Sequence, residues 1–172
     1  MPSADADKVQ RSADRNSSAM APKSPVKDET CLLPPLNLST ATAVSAKQLQ
    51  IPPKAQKEYQ QACVTLKDKK TADAEKHLRR AVQLYPKYAA AWVTLGQVLA
   101  AQQRTDEART ACSQGSAVDS GYVPSYLCLA DIAARTDDWG EVLKETNRAL
   151  ELDPSGNAVA YEYNAAANLK VQ

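Results

Sequence analysis

From residue 55 onward the apolar positions fall into short helical stripes separated by polar turns, and the order of residues recurs at a spacing of 34. The middle stretch shows the pattern best. Trp92, Leu95, Gly96 and Leu99 recur at helical spacing, so they share one face of a helix predicted over about residues 88–102. Thr105 offers an N-cap, and Asp106 and Glu107 occupy the favourable first turn of a second helix whose buried side carries Ala108, Cys112 and Gly115. Small residues there let two backbones approach closely, and a large Trp92 opposite them fills the remaining volume. Asp119, Ser120 and Gly121 end the second helix.

The same markers return on either side. Trp92 stands 34 before Tyr126, and Tyr126 stands 34 before Ala160, while Pro86, Ser120 and Pro154 keep that interval at the other end of the unit. A fixed period of this size belongs to solenoids, in which one supersecondary unit cannot bury its apolar face alone; an unrelated helical bundle needs no such period. On these residues the unit over 89–122 resembles a tetratricopeptide repeat: Trp92, Leu95, Gly96 and Ala108 stand at the family's favoured places, with Leu99 where an aromatic is usual and departures at Cys112, Gly115 and Ser120. The unit over 55–88 supplies Ala62, Ala74, Leu78, Ala81 and Pro86, with Glu58, Gln61 and Thr65 at places that are normally apolar. The unit over 123–156 supplies Tyr126, Leu129, Ala130, Ala149 and Pro154, with Val142 and Thr146 departing. A final half-unit, 157–171, turns Ala160, Tyr163 and Ala167 inward. The resemblance implies an all-α, right-handed α-solenoid of helix-turn-helix repeats closed by a C-terminal capping helix.

Three segments are expected. Residues 1–30 hold five basic and five acidic residues and no aromatic, a composition too polar to offset the entropy of ordering, and are read as a disordered tail. Residues 31–51 carry Leu32, Leu33, Leu36, Leu38, Val44 and Leu49 with one charge, Lys47, and are read as an apolar linker packing on the solenoid, extended around Pro34-Pro35. Residues 52–172 are the repeat domain, opened by Pro52 and Pro53, where a missing N–H costs nothing. Thr71 and the pair Asp137-Asp138 are the expected caps of the remaining second helices. Trp139 is expected to cover a helix junction or to meet a partner.

In the repeat family the fifth and ninth positions of each first helix face the concave side, where extended peptides bind. Carried over by position, these are Tyr59, Val93, Leu127 and Tyr161, then Cys63, Gln97, Asp131 and Ala165. The resemblance therefore implies a non-catalytic interaction module whose groove takes an apolar or amphipathic peptide segment. Residues 31–51 are the candidate resident ligand of that groove. Members that grip the C-terminal carboxylate of heat-shock chaperones use Lys and Asn at these places, and none stands here. The alternative is a homo-oligomeric scaffold assembling through the Ala-rich C-terminal helix, whose outer face holds Ala158, Ala165 and Ala166 beside Glu162 and Lys170.

Composition narrows the partners. Lys and Arg number 21 against 20 Asp and Glu, so the net charge of +1 leaves no electrostatic footprint for nucleic acid. No apolar run approaches the ~20 residues that span a bilayer. Lys8, Arg11 and Arg15 precede no apolar stretch, which makes a cytoplasmic location the default and export the alternative where a signal segment has been removed. No cofactor is expected: a Gly-rich phosphate loop, a nucleophile elbow and paired metal-binding histidines are all missing, and the single His77 has no ligand partner near it in sequence. Cys31, Cys63, Cys112 and Cys128 have irregular spacing and read by default as small buried hydrophobes. In an exported protein, Cys31 is placed to bridge Cys63 and pin the N-terminal segment into the groove.

Overall fold

A computed structural model describes residues 31–34, 36, 50–155 and 157–171; the tail over 1–30 and most of the linker lie outside the described residues. Among the described residues are seven α-helices: α1 Pro53–Lys67, α2 Thr71–Leu84, α3 Ala89–Ala101, α4 Thr105–Val118, α5 Val123–Arg135, α6 Trp139–Leu152 and α7 Ala158–Val171. They stack as successive antiparallel pairs, an all-α solenoid in which each helix packs on the next and the first helices of adjoining units also touch. No helix among the described residues is long and apolar enough to cross a membrane.

The pairs close because the buried faces are narrow. Ala62, Ala74, Ala81, Ala91, Ala108, Ala130 and Ala149 are all fully buried, so helices approach through small side chains while Leu78, Leu95, Leu99, Leu127 and Ile132 fill the seams. Two glycines set the closest approaches. A Cβ on Gly96 would collide with Cys112 Sγ, and one on Gly115 would stand 2.7 Å from Ser125 Oγ and 2.9 Å from Val93 Cγ2.

The turns repeat as faithfully as the helices. Lys69, Gln103 and Asp137 hold left-handed backbone at φ 60°, 62° and 57°, each in the middle of the three-residue turn between the helices of one unit. The helix starts differ from the expectation at two places. Thr71 and Thr105 are first helical residues rather than caps; Lys70 and Arg104 stand at the cap positions and accept no side-chain hydrogen bond. Asp138 does cap, its Oδ1 accepting from the Glu141 N–H at 3.1 Å. Trp92 is half-buried rather than sealed in the core, and its Nε1–H donates to the Pro86 carbonyl at 2.8 Å. Tyr126 repeats that bond to the Ser120 carbonyl at 2.8 Å, and Tyr161 makes the equivalent one to the Pro154 carbonyl at 2.8 Å. The first unit puts Glu58 where the others have Trp92 and Tyr126, and Glu58 reaches His77 at 2.8 Å and Arg80 at 3.4 Å on α2. Trp139 is half-buried against Ala130, Val142 and their neighbours, with Lys170 Nζ 5.9 Å from its ring centre.

Candidate functional site

The site is built where residues 31–36 meet the first helices of the first two units. Leu32 and Leu36 belong to the same buried cluster as Tyr59, Val93 and Leu127, with 9 % and 1 % of their surfaces exposed. Leu36 N–H donates back to the Leu33 carbonyl at 3.0 Å, closing a turn that includes Pro34. This turn brings the two leucines down onto the helices while the Leu33 backbone stays available for pairing.

Gln97, on α3, takes up that backbone. Its Oε1 accepts from the Leu33 N–H and its Nε2 donates to the Leu33 carbonyl, both at 3.0 Å. A side-chain amide can satisfy one residue's backbone donor and acceptor together only in one orientation, so the pair reads main chain and not side chain. On α1, the Tyr59 hydroxyl oxygen accepts from the Cys31 N–H at 3.4 Å and lies 3.1 Å from Thr94 Oγ1. Thr94 spends its own proton on the Ala90 carbonyl at 2.9 Å, which makes Tyr59 the donor to Thr94 while its oxygen accepts from Cys31. The relay runs from Cys31 N–H through Tyr59 and Thr94 to the α3 backbone, with Thr94 fully buried. Cys63, one turn beyond Tyr59 on α1, forms a disulfide with Cys31.

Of the positions carried over from the repeat pattern, Tyr59, Cys63 and Gln97 therefore converge on residues 31–33. Val93 and Leu127 are fully buried and expose no surface; Val93 turns toward Gly115 of α4. Asp131 lies apart, at the α5–α7 junction, where its Oδ1 accepts from the Tyr163 hydroxyl at 2.7 Å and its Oδ2 from Arg135 Nε at 2.9 Å. Burial, and then the Asp131 hydrogen bond, hold the Tyr163 phenol well above its ordinary range. Tyr161 is half exposed and tied to Pro154, and Ala165 is exposed. Thr94 was not among the sequence candidates; its neighbour relation to Tyr59, one unit and one residue away, was the available signal.

The cysteines pair fully. Besides Cys31–Cys63, the bridge considered for an exported chain, Cys112 of α4 is joined to Cys128 of α5, so the default reading of four small buried hydrophobes gives way to two disulfides. The second helix of one unit packs on the first helix of the next, and that contact brings two cysteines 16 residues apart within bonding reach. Among the described residues no three His, Cys, Asp or Glu side chains gather as a metal site.

Electrostatics divide the surface from the groove. Arg104 reaches Glu75 at 2.9 Å and Glu107 at 2.6 Å, and Arg79 reaches Glu75 at 2.8 Å and Glu107 at 3.1 Å, tying α2 to α4 across two units. Burial works against the Glu75 charge, but its hydrogen bonds from Arg79 and Arg104 outweigh that and hold the carboxyl below the usual range. Where residues 31–36 meet α1 and α3 the contacts are hydrogen bonds to the main chain and buried leucines, without an ion pair among the described contacts.

Residues 65–126 match the family model of the tetratricopeptide repeat. No curated protein matches the sequence. Three solved structures are similar in fold. The tetratricopeptide domain of Sgt2 from Aspergillus fumigatus aligns with a TM-score of 0.66 at 13 % identity, over 70 % of this chain and 80 % of its own. The TPR2B domain of yeast Sti1, in its pHsp70 complex, aligns with a TM-score of 0.66 at 16 % identity, over 69 % of this chain and 99 % of its own. The first such domain of Spaghetti (RPAP3), bound to the HSP90 peptide SRMEEVD, aligns with a TM-score of 0.65 at 17 % identity, over 69 % of this chain and 93 % of its own. With a 34-residue register in the sequence and stacked helix pairs in the structure, the chain has the fold of tetratricopeptide repeat domains, and residues 65–126 match that family's model.

Proposed function

We propose that this domain is a non-catalytic protein-interaction module whose groove takes an extended apolar segment, and that its own residues 31–36 occupy that groove. The observation that carries the reading is the double hydrogen bond of Gln97 to the Leu33 backbone, flanked by the buried Leu32 and Leu36. Main-chain pairing supplies affinity that any extended peptide can use, and pockets for two leucines supply selectivity. The preferred ligand is then a neutral Leu-bearing segment with a proline-assisted turn, like residues 31–36 themselves. The first such domain of Spaghetti (RPAP3), similar in fold, is bound to the acidic HSP90 peptide SRMEEVD. Here the groove positions that meet the segment are Tyr59, Cys63 and Gln97, and no Lys or Asn stands among them to hold a carboxylate.

The test is a fluorescent peptide of residues 31–38, with its cysteine replaced by serine, titrated under reducing conditions into full-length chain carrying Leu32→Asp and Leu36→Asp. Binding that Gln97→Ala weakens at least tenfold is the expected result. Absence of binding to the doubly substituted chain rejects the reading.

A second reading is favoured by α7. Tyr161, Leu169 and Val171 are 52 %, 78 % and 55 % exposed, three of the five exposed large hydrophobics among the described residues. Two copies of α7 set antiparallel about Ala165 and Ala166 would place Glu162 of each near Lys170 of the other, and Tyr161 near Leu169. Light scattering is expected to show a dimer that Leu169→Glu returns to monomer; a monomeric wild type removes this reading.

A further inference from the structure

We infer that the Cys31–Cys63 disulfide is a thiol-sensitive latch on the groove: a dithiol reductant frees the resident segment to be exchanged for a peptide from another chain. The inference rests on the occupied-groove reading and adds its control. It stands on three observations. The disulfide joins the segment to the helix that receives it, Cys31 sitting two residues before the Leu33 backbone held by Gln97. While the bond is intact, Leu32 and Leu33 stay within a residue or two of a covalent anchor, so no free peptide competes at practical concentrations. Finally, the two disulfides differ in access. Cys31 is half-buried at the edge of the site, whereas Cys112 and Cys128 are 0 % and 2 % exposed between α4 and α5, with Gly96 packed over Cys112.

The chemistry follows from that access. One thiolate of the reductant attacks Sγ of Cys31, the more exposed residue of the pair since Cys63 is buried, forming a mixed disulfide and releasing Cys63 as a thiolate. The reductant's second thiolate then attacks its own sulfur in that mixed disulfide and releases Cys31. Two electrons pass to the protein, Cys31 and Cys63 each take up a proton, and the reductant leaves as a cyclic disulfide. Cys112 and Cys128 react more slowly, because no thiolate reaches sulfur that solvent does not reach.

Reduction does not expel the segment. It remains part of the same chain, which keeps it near the site at an effective concentration on the order of millimolar, and Leu32, Leu36 and the hydrogen bonds still hold it. What changes is that the segment detaches and returns, so a ligand in trans competes with a tether instead of a covalent bond. A compartment that forms disulfides would keep the groove closed, and a reducing one would open it.

The experiment uses full-length chain and the fluorescent peptide of residues 31–38 with serine in place of cysteine. Binding is measured before and after dithiothreitol treatment, with circular dichroism to confirm unchanged helix content and alkylation mass spectrometry to locate the freed thiols. The oxidised chain is expected to bind at least tenfold more weakly than the reduced one, with Cys31 and Cys63 alkylated well before Cys112 and Cys128. Cys31→Ser should bind like the reduced chain in both conditions. Equal binding by oxidised and reduced wild type, while the chain with Leu32→Asp and Leu36→Asp binds, overturns the latch and leaves the groove standing. Alkylation of all four cysteines together overturns the selectivity. No binding by any form removes the groove, and the latch with it.

Discussion

The indole of Trp92 does two things at once: its ring covers half-exposed apolar surface, and its Nε1–H satisfies the Pro86 carbonyl at the end of the preceding helix pair. Tyr126 and Tyr161 repeat the second task with their hydroxyls. Ala160, at the place equivalent to Trp92, has no donor, and the next residue supplies it. Trp92→Phe keeps most of the cover and removes the donor, so it is expected to cost about 1 kcal/mol, the net worth of one hydrogen bond. Urea unfolding measures this, and Tyr126→Phe should give a similar loss. The turn residues argue in the other direction. Gln103 is exposed with φ 62°, a conformation that strains any side chain with a Cβ. Gln103→Gly relieves that strain and is expected to raise stability by about 0.5–1 kcal/mol, read from the shift in urea midpoint. Asp137→Gly should gain less, since Asp tolerates the left-handed region better.

Among the elements, α6 carries the group with the clearest pH consequence. Glu145 is 6 % exposed, and burial pushes its carboxyl above the ordinary range despite Lys144 at 3.1 Å. A raised folded pKa means that the fold favours the protonated form. Stability from that form is complete below the unfolded value, roughly 4.3, and is lost as pH rises through the folded value. Glu145→Gln mimics the protonated form. It is expected to be more stable than wild type at pH 7, with the gap closing toward pH 4; a gap that widens on acidification would contradict the sign. The Glu75 cluster between α2 and α4 has the opposite sign. Its stability is present above the unfolded pKa and is lost as pH falls through the lowered folded one. The caps show why element ends are harder to read than element cores. Threonine at a predicted boundary is a good cap by propensity, yet the three-residue turn after α3 places Thr105 one residue inside α4 and leaves the cap position to Arg104. There Arg104 serves the neighbouring unit by binding Glu75.

For the whole molecule, coupling between units runs through the closest helix contacts. Gly115 of α4 meets Ser125 of α5 and Val93 of α3, with no room for a methyl group unless a neighbour shifts. Gly115→Ala gains helix propensity but crowds that junction, and is expected to lose about 1–3 kcal/mol overall. Because units lean on one another, hydrogen exchange should accelerate in α3 and in α5 as well as in α4. Faster exchange confined to α4 would mean that the units fold more independently than the packing implies. The Cys112–Cys128 disulfide spans the same junction and holds the second and third units together covalently.

The repeat was legible without coordinates because it is a matter of spacing: Trp92 and Tyr126 on one register and Pro86, Ser120 and Pro154 on another, with small residues between them, specify paired helices locally. The contact between residues 31–33 and the first helices was legible only in part. The repeat pattern singled out Tyr59, Cys63 and Gln97 by their places in the unit, and the apolar excess of residues 31–51 marked a segment in need of cover. Which of the groove positions meet that segment was not legible, because a repeat pattern assigns the same direction to Val93 and Gln97, whereas the packing of α4 and α5 seals the first and leaves the second open to Leu33. Disulfide pairing is decided at the same level. Cys31 with Cys63 and Cys112 with Cys128 are distant in the chain, and only the crossing of elements brings each pair within bonding distance. Periodicity thus determines elements and their order, since it acts through neighbours along the chain; contacts between residues dozens of positions apart depend on how closely the helices stack, and that is settled by the tertiary structure.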